Sequence, residues 1–371
     1  MAIYLDTAAT TSLDPKVLSV MSIALKKDYG NPSSIHKKGK EAKELLEKAR
    51  KTIAKCINAF PEEIYFTSCG TEANNLALRG ILATTKKKEI ITSVIEHASI
   101  LSLCQQLEKE GYKVHYIPVN KEGLLNLKEL EGKVNFQTAL VSIMYVNNES
   151  GTIQDIGRIA EICKKKNIPF HTDAIQAFKK IPLDVKKQNL TLVSLSAHKI
   201  YGPKGIAALY VKKGVLLKPL LYGGKQENTL RPGTENLPSV LGFAKAAELS
   251  FPVKELERKK KYFLQQLKQI PRIKVNGSGK NSVCTIINVS VHGVEGDTLV
   301  KHLSEEGIYL STGSACQSQS IEPSHVLKAI GLSNQDAYAS IRISLNKNIT
   351  KREIDQTIKH LKSIVSILRK L

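Results

Sequence analysis

Short runs of apolar and β-branched residues alternate with amphipathic stretches through the first two thirds of the chain. The amphipathic stretches at 98–111 and 156–166 are typical of helices. Strands that alternate with helices predict a mainly parallel sheet covered on both faces. The runs with the length and composition of buried strands are 64–67, 90–94, 140–145, 170–172, 192–196 and 206–211.

The composition of the chain changes near Phe251 and Pro252. A large α/β domain is therefore predicted over residues 15–252, and a smaller α+β domain over residues 1–14 and 253–371. The elements predicted for the smaller domain are a charged helix at 254–270, strands at 285–289 and 340–344, and helices at 296–306 and 351–370.

The bulk composition fits a soluble two-domain protein. The chain has 371 residues, of which 42% are hydrophobic and 24% charged. No apolar run is long enough to cross a bilayer, and the first residues lack the pattern of a signal peptide, so a cytoplasmic protein without membrane contact is expected. Six scattered cysteines without a C-x-x-C pair favour reduced thiols over disulfides or a zinc site, and no metal site is expected.

The formal net charge of +21 has two interpretations. It indicates either an acidic partner such as tRNA or a lysine-rich composition in general. Lysine far outnumbers arginine, and no aromatic residues are interleaved with the basic ones. We favour the second interpretation and expect no direct binding of nucleic acid, because recognition surfaces usually depend on arginine.

The most informative segment is Ser194–Lys199, which a glycine-rich turn follows. Lys199 lies at the end of a predicted buried strand, behind two serines and His198. Desolvation and neighbouring cations lower the pKa of an amine and free its lone pair for a Schiff base. The sequence therefore predicts pyridoxal phosphate as the cofactor, with Lys199 as its attachment point.

Polar residues follow several other predicted strands, at the edge where α/β sheets bind ligands. Gly70 and Thr71 begin a helix and suit a phosphate, although such a pair often only caps a helix. Asp173 suits a protonated pyridine nitrogen, against the alternatives of a helix cap or a salt bridge. His97 suits ring stacking and proton transfer, although an isolated histidine is often only a buried polar residue.

Two further sets of residues suit a substrate. Asn148 and Arg342 could hold a carboxylate, and a structural salt bridge is about as good an explanation for Arg342. Cys316 lies in a small polar segment, 311–320, where a cysteine is expected to be exposed and reactive as a thiolate rather than packed. An incidental surface thiol is the alternative. The other five cysteines lie in or beside predicted helices and strands and are interpreted as packing residues.

Together these motifs resemble the cysteine desulfurases of the NifS/IscS type, within the class-V aminotransferases and the fold-type I pyridoxal-phosphate enzymes. The resemblance covers nearly the whole chain and implies a mainly parallel sheet in a large domain plus a small α+β domain that carries the Cys316 loop. The matching segments are 4–11, 30–36, 70–72, 96–97, 147–151, 171–176, 196–199, 231–236, 314–316 and 340–344.

The resemblance implies a role for each residue around the cofactor. Lys199 would hold the cofactor and move the Cα proton, and His97 would stack on the ring. Asp173 would pair with the pyridine nitrogen, and Gln176 would bond the phenolic oxygen. The phosphate would be held by Gly70, Thr71, Ser196, His198 and, from the neighbouring subunit of a homodimer, Thr234.

The resemblance also implies the reaction. Asn148 and Arg342 would hold the carboxylate of L-cysteine, and the Cys316 thiolate would take the substrate's sulfur as a persulfide and release L-alanine. A transient iron–sulfur cluster on Cys316 is the one metal contact that it allows. The sulfur would pass to an acceptor protein for iron–sulfur cluster assembly or tRNA thiolation.

Two departures from the family pattern concern Lys225 and the end of the chain. Lys225 stands where the family usually has a third glycine, close to the segment of Thr234. The chain ends at Leu371, shortly after the last predicted helix, whereas some relatives have a longer tail that contacts an iron–sulfur scaffold protein. The identity of the acceptor is left open by this difference.

Three alternative functions remain on the sequence alone. An aminotransferase or a selenocysteine lyase could use the same fold, and an aminotransferase would need no Cys316. A non-catalytic sulfur carrier would have little need of Lys199. A nucleic-acid-binding protein rests on the net charge alone.

Overall fold

The computed structural model describes residues 2–312 and 323–370. Its strands are β1 (Ile3–Tyr4), β2 (Ile64–Thr67), β3 (Glu89–Ser93), β4 (Lys113–Ile117), β5 (Thr138–Ser142), β6 (Phe170–Asp173), β7 (Leu192–Ser196), β8 (Ala207–Val211), β9 (Ile273–Asn276), β10 (Ile286–Val291), β11 (Ile308–Tyr309), β12 (Ser311–Thr312) and β13 (Ser340–Ser344). Its α-helices are α1 (Pro15–Lys27), α2 (Lys37–Cys56), α3 (Gly70–Leu82), α4 (Ala98–Lys109), α5 (Leu127–Lys133), α6 (Ile156–Lys165), α7 (Leu237–Glu248), α8 (Val253–Leu267), α9 (Gly296–Glu305), α10 (His325–Ala329), α11 (Asn334–Tyr338) and α12 (Lys351–Leu368).

The larger sheet has seven strands in the order β2-β8-β7-β6-β5-β3-β4. Strands β4, β3, β5, β6 and β7 pair in parallel, and β8 runs antiparallel to both of its neighbours. Every residue of β5, β7 and β8 is buried, so both faces of the central sheet are covered. The prediction of a mainly parallel, covered sheet is confirmed.

The predicted strand bounds agree best with the observed ones where polar residues end the apolar run. Strands β2 and β7 have the predicted bounds, whereas β5 begins at Thr138 and ends at Ser142 rather than spanning 140–145. Beyond it, Ile143 and Tyr145 remain buried, so the apolar pattern continues past the end of the strand. Strand β4 was not predicted; it lies at the edge of the sheet and is mostly half-buried.

The second sheet has the order β12-β13-β10-β9 and is antiparallel, and β1 pairs in parallel with β11 beside it. One hydrophobic cluster joins residues from the start of the chain, such as Ile3 and Leu5, to Phe263 and Ile341 from its last third. The pairing of β1 with β11 holds the first residues of the chain against the second sheet, so their apolar side chains join this cluster. Within the described ranges, no helix is both long and apolar enough to cross a membrane.

The segment before Thr234 is held in an unusual backbone conformation by a buried ion pair. Glu227, Asn228 and Thr229 have φ of 44°, 53° and 68°, which lie in the left-handed region that costs energy for residues other than glycine. The Glu227 carboxylate accepts two hydrogen bonds of 2.7 Å from the Arg50 guanidinium and one of 2.8 Å from the backbone N–H of Phe66. These bonds fix the strained segment.

Lys225, the departure from the family pattern, begins the same segment. Its φ is −89° and its ψ is 11°, a conformation that a residue with a side chain adopts without a left-handed strain. A third glycine is therefore not required at this position by the backbone.

Replacement of Arg50 by methionine is expected to lower the free energy of unfolding by about 3–5 kcal/mol, because the buried Glu227 carboxylate loses its partner. Urea unfolding of the apoprotein measures this change. Glu47→Gln is the matched control, since Glu47 also contacts Arg50 but its side chain is 44% exposed. The double variant R50M/E227Q should recover part of the loss; equal effects of R50M and E47Q would contradict the assignment.

Candidate active site

A cavity of about 330 Å³ opens at the carboxyl ends of strands β2, β3, β5, β6 and β7. This is the edge at which α/β sheets bind ligands. Most of the lining side chains follow one of these strands directly, and others come from the first residues of the chain and from β13. The lining residues are Ala8, Ala9, Cys69, Gly70, Thr71, His97, Ser99, Met144, Val146, Asn148, Asp173, Ile175, Gln176, His198, Lys199 and Arg342.

Among the described residues, two of the predicted site residues do not line this cavity. Ser196 is buried one step behind it, at the end of β7. Thr234 is exposed and lines a separate cavity of about 200 Å³ with Arg231. Cys316 lies outside the described residues.

Lys199 ends a short 3₁₀ turn that continues directly from β7. The Nζ atom of Lys199 donates hydrogen bonds of 2.6 Å to the carbonyl oxygens of Ala8 and Ala9. These carbonyls come from the extended start of the chain, so the position of the amine depends on a contact between residues about 190 positions apart. The side chain is half-buried and lines the cavity as the sequence predicts.

Asp173 is buried at the end of β6, and its carboxylate is oriented on both oxygens. Its Oδ2 accepts a hydrogen bond of 2.8 Å from Asn74, and its Oδ1 accepts one of 3.0 Å from the backbone N–H of Ile175. Within residues 2–312 and 323–370, no salt bridge to Asp173 is present. Asn74 was not predicted as a site residue, because its place in a Gly-Thr-Glu-Ala-Asn helix start is the only signal in the sequence.

His97 is the residue that caps α4, and its ring is oriented by Ser99. The Nδ1 atom accepts a hydrogen bond of 3.1 Å from the backbone N–H of Ser99 and lies 2.9 Å from the Ser99 hydroxyl. Because Nδ1 accepts a backbone N–H, the neutral ring carries its proton on Nε2. Asn74 also donates to the Ser99 hydroxyl, so His97 and Asp173 belong to one hydrogen-bonded network.

The part of the site at the start of α3 has the properties of a phosphate-binding site. Gly70 and Thr71 begin the 13-residue helix α3, whose N-terminal N–H groups favour an anion. A Cβ atom on Gly70 would come within 2.2 Å of the Cδ1 atom of Ile175, so a larger residue would require the Ile175 side chain to move. The buried Ser196 hydroxyl has no hydrogen-bond partner in the described part of the chain.

His198 lies beside these residues and is held by Thr10. Its Nδ1 atom is 3.2 Å from the Thr10 hydroxyl. Burial, with the charge of Lys199 next in size, lowers the pKa of His198 to about 4. The imidazole is therefore neutral near pH 7, and it can donate one hydrogen bond without adding a charge.

Arg342 lies in β13 and brings the second sheet to the cavity. Its guanidinium donates 2.8 Å to Asp6 and 3.2 Å to the carbonyl oxygen of Asn148. The side chain is 3% exposed, and its buried Nε has no partner in the ranges described. The structural salt bridge that the sequence allows for Arg342 is present. Arg342 also lines the cavity, so its guanidinium is placed where it can bind a substrate carboxylate.

One interpretation of the cysteines was wrong. Cys69 is exposed and lines the cavity, although its sequence context predicts a packing residue. The reason is its place at the N-terminus of α3, where its Sγ accepts the backbone N–H of Glu72 and remains outside the core. Cys104, Cys163 and Cys284 are buried as expected, and Cys56 is half-buried.

Within residues 2–312 and 323–370, no group of three or more histidine, cysteine, aspartate or glutamate side chains is arranged to hold a metal ion. The cavity instead combines an amine, a buried carboxylate, an imidazole, an anion site and a guanidinium. Such a set can bind a phosphorylated aldehyde and an amino acid, and it can move a proton next to them.

Comparisons with known proteins agree with this chemistry. Residues 3–357 match the family model described as aminotransferase class-V. A cysteine desulfurase IscS from Dictyoglomus turgidum is 45% identical over 99% of this chain and 95% of its own length. One from Methanosarcina thermophila is 43% identical over 100% of this chain and 93% of its own.

Solved structures give the same result. A NifS-like protein superposes with a TM-score of 0.93 and is 39% identical, over 99% of this chain and 100% of its own. A structure described as SspA in complex with cysteine has a TM-score of 0.86 and 38% identity, over 94% of this chain and 100% of its own.

Proposed function

This chain belongs to the class-V aminotransferase family, and we propose that it is a cysteine desulfurase with the fold of the type I pyridoxal-phosphate enzymes. It would convert L-cysteine to L-alanine and transfer the sulfur to Cys316 as a persulfide. The observation that carries the proposal is the single cavity that Lys199, Asp173 and Arg342 share. One amine, one carboxylate and one guanidinium suit a cofactor aldehyde, a pyridine nitrogen and a substrate carboxylate.

The residues present fit pyridoxal phosphate. The unpartnered Ser196 hydroxyl and the N-terminal N–H groups of α3 suit a phosphate. The buried Asp173 carboxylate, which lacks a salt bridge in the described part of the chain, suits a protonated ring nitrogen. When bound, the cofactor supplies an electron-poor ring that takes up the electron pair released when the Cα–H bond breaks.

The chain's own residues would then divide the work. Lys199 would hold the cofactor covalently and carry the Cα proton, and Asp173 would keep the ring nitrogen protonated. Gln176 would donate to the phenolic oxygen, and His97 would stack on the ring. The phosphate would be bound by Gly70, Thr71, Ser196 and His198.

The substrate would be held by Asn148 and Arg342, whose buried guanidinium favours a carboxylate. The Cys316 thiolate would attack the substrate's sulfur, so that an S–S bond forms as the C–S bond breaks. The carbon fragment would keep the electron pair of that bond, take up a proton and leave as L-alanine. Cys316 itself lies outside the described residues, and its role rests on the family resemblance.

Thr234 supports a homodimer with shared active sites. It is exposed and lies outside the cavity of its own chain, which is what a residue that completes a neighbouring site requires. In the dimer, Thr234 would bind the phosphate held by the partner subunit.

We further propose domain boundaries, a cellular compartment and a sulfur acceptor for the enzyme. The large domain would comprise residues 15–252 and the small domain residues 1–14 and 253–371, supported by the packing of Ile3 and Leu5 against the second sheet. The protein would act in the cytoplasm and pass its sulfur to an acceptor protein, for iron–sulfur cluster assembly or tRNA thiolation.

A substrate assay on the purified protein with pyridoxal phosphate tests the function. We expect L-alanine and sulfide in equal amounts from L-cysteine with a thiol reductant present, because each turnover breaks one C–S bond. Transfer of an amino group from L-alanine to a keto acid, without sulfide, would indicate an aminotransferase. Turnover of selenocysteine alone would indicate a selenocysteine lyase. A protein that stays colourless with added cofactor would indicate a non-catalytic sulfur carrier.

A further inference from the structure

Lys180 is a buried lysine that the proposed reaction does not use. It lies four residues after Gln176 in the segment that follows β6, and its side chain is almost inaccessible, at 3% exposure of the residue. Its Nζ atom donates a hydrogen bond of 2.9 Å to Oε1 of Gln176. Burial of an ammonium group is costly unless it serves a partner, so this contact is a candidate for a functional one.

The contact determines which way the Gln176 amide faces. The charged form of Lys180 has donors only, and the Ala8 carbonyl on the other side of the amide only accepts, so the atom that Lys180 contacts is the amide oxygen. The amide nitrogen of Gln176 is then the atom that donates 2.9 Å to the carbonyl oxygen of Ala8. An amide nitrogen has a second N–H, which leaves one donor for a ligand in the cavity that Gln176 lines.

The same carbonyl connects Lys180 to the reactive lysine. Ala8 accepts from both Gln176 and Lys199, so two lysines and one amide form a continuous chain of hydrogen bonds. Burial, and after it the charge of Lys199, lowers the pKa of Lys180 to about 7. Attachment of Lys199 to the cofactor as an unprotonated imine would remove that like charge, and the charged form of Lys180 would become more favourable.

We propose that Lys180 is a positioning residue for the cofactor: its ammonium group orients the Gln176 amide toward the phenolic oxygen and stabilises negative charge on that oxygen. This inference rests on the proposed function, because it assumes the cofactor at Lys199. Among the described residues, Lys180 interacts electrostatically with Lys199 and Cys284. The titratable groups that line the cavity are Cys69, His97, Asp173, His198, Lys199 and Arg342.

The test is a pH titration of the visible absorption of the resting holoprotein, without cysteine. In Lys180→Met, the midpoint of the spectral change should rise by about one pH unit, because a cation near the phenolic oxygen is lost. The conservative Lys180→Arg should return the midpoint toward that of the parent protein. Lys180→Gln, which keeps polarity without charge, replaces the methionine variant if that protein does not fold.

Lys260→Met is the matched control. Lys260 is a half-buried lysine, and its ammonium donates to the Ser282 hydroxyl and the Val283 carbonyl rather than to Gln176. We expect K260M to lower the melting temperature of the apoprotein but to leave the spectral midpoint unchanged. Loss of the cofactor from K180M but not from K260M would also support the proposal.

An unchanged midpoint in K180M, or equal shifts in K180M and K260M, would overturn the proposal and leave Lys180 a structural role. If the proposed function is wrong, the result is different: the visible absorption of the parent protein titrates normally, but the protein forms no alanine from cysteine.

Discussion

Replacement of Lys199 by alanine is expected to lower the rate of alanine formation from L-cysteine by about 10³-fold or more. Among the described residues that line the cavity, Lys199 carries the one amine that can form a Schiff base with an aldehyde and also carry the Cα proton. The variant should also lose the visible absorption of the holoprotein. Alanine release under saturating cysteine and the absorption spectrum measure the two effects.

Lys204→Ala is the matched control for Lys199. Lys204 lies on the same turn and acts electrostatically on the same histidine, His198, but it is exposed and does not line the cavity. We expect near-normal turnover from K204A. A K199A protein that keeps both colour and turnover would show that another amine holds the cofactor, and Lys180 would be the next one to replace.

Replacement of Cys316 by alanine is expected to lower sulfide and alanine formation by at least about 10³-fold, since the group that accepts the sulfur is gone. The cofactor should remain bound, because none of the residues proposed to hold it changes. Retained visible absorption together with lost turnover would separate this variant from K199A, which loses both.

Cys69→Ala is the control for Cys316, and the structure makes it necessary. Cys69 is the exposed thiol on the wall of the cavity, so it could accept sulfur by position alone. We expect C69A to keep most of its turnover. If C69A were inactive and C316A active, the sulfur acceptor would be Cys69 and the assignment from the family resemblance would be wrong.

Local patterns were sufficient for most of the larger sheet. Apolar β-branched runs predicted β2 and β7 with their observed bounds, because both strands are buried and polar or turn residues end them. The predicted end of β5 was too late, since burial continues after the strand ends. Strand β4 was missed because an edge strand lacks a continuous apolar run.

The contacts between distant residues were beyond such patterns. Asn74 orients Asp173 across 99 positions, and the start of the chain supplies the carbonyl that Lys199 and Gln176 share. The exposure of Cys69 followed from its place at a helix terminus rather than from its neighbours in the sequence. Residues of the same types occur at many other positions of the chain. Only the positions of Asn74, Ala8 and Cys69 in the folded structure identify them as site residues.

The sequence by itself determined the fold class, the family and the residue types of the chemistry, because those depend on local periodicity and on motifs of a few neighbouring residues. The tertiary structure decided which of those residues share a cavity and how each is oriented. It alone revealed the buried ion pair of Arg50 and Glu227 and the contact of Lys180 with Gln176. The physical reason is that burial and hydrogen-bond direction depend on neighbours brought together by folding, and a linear pattern does not contain them.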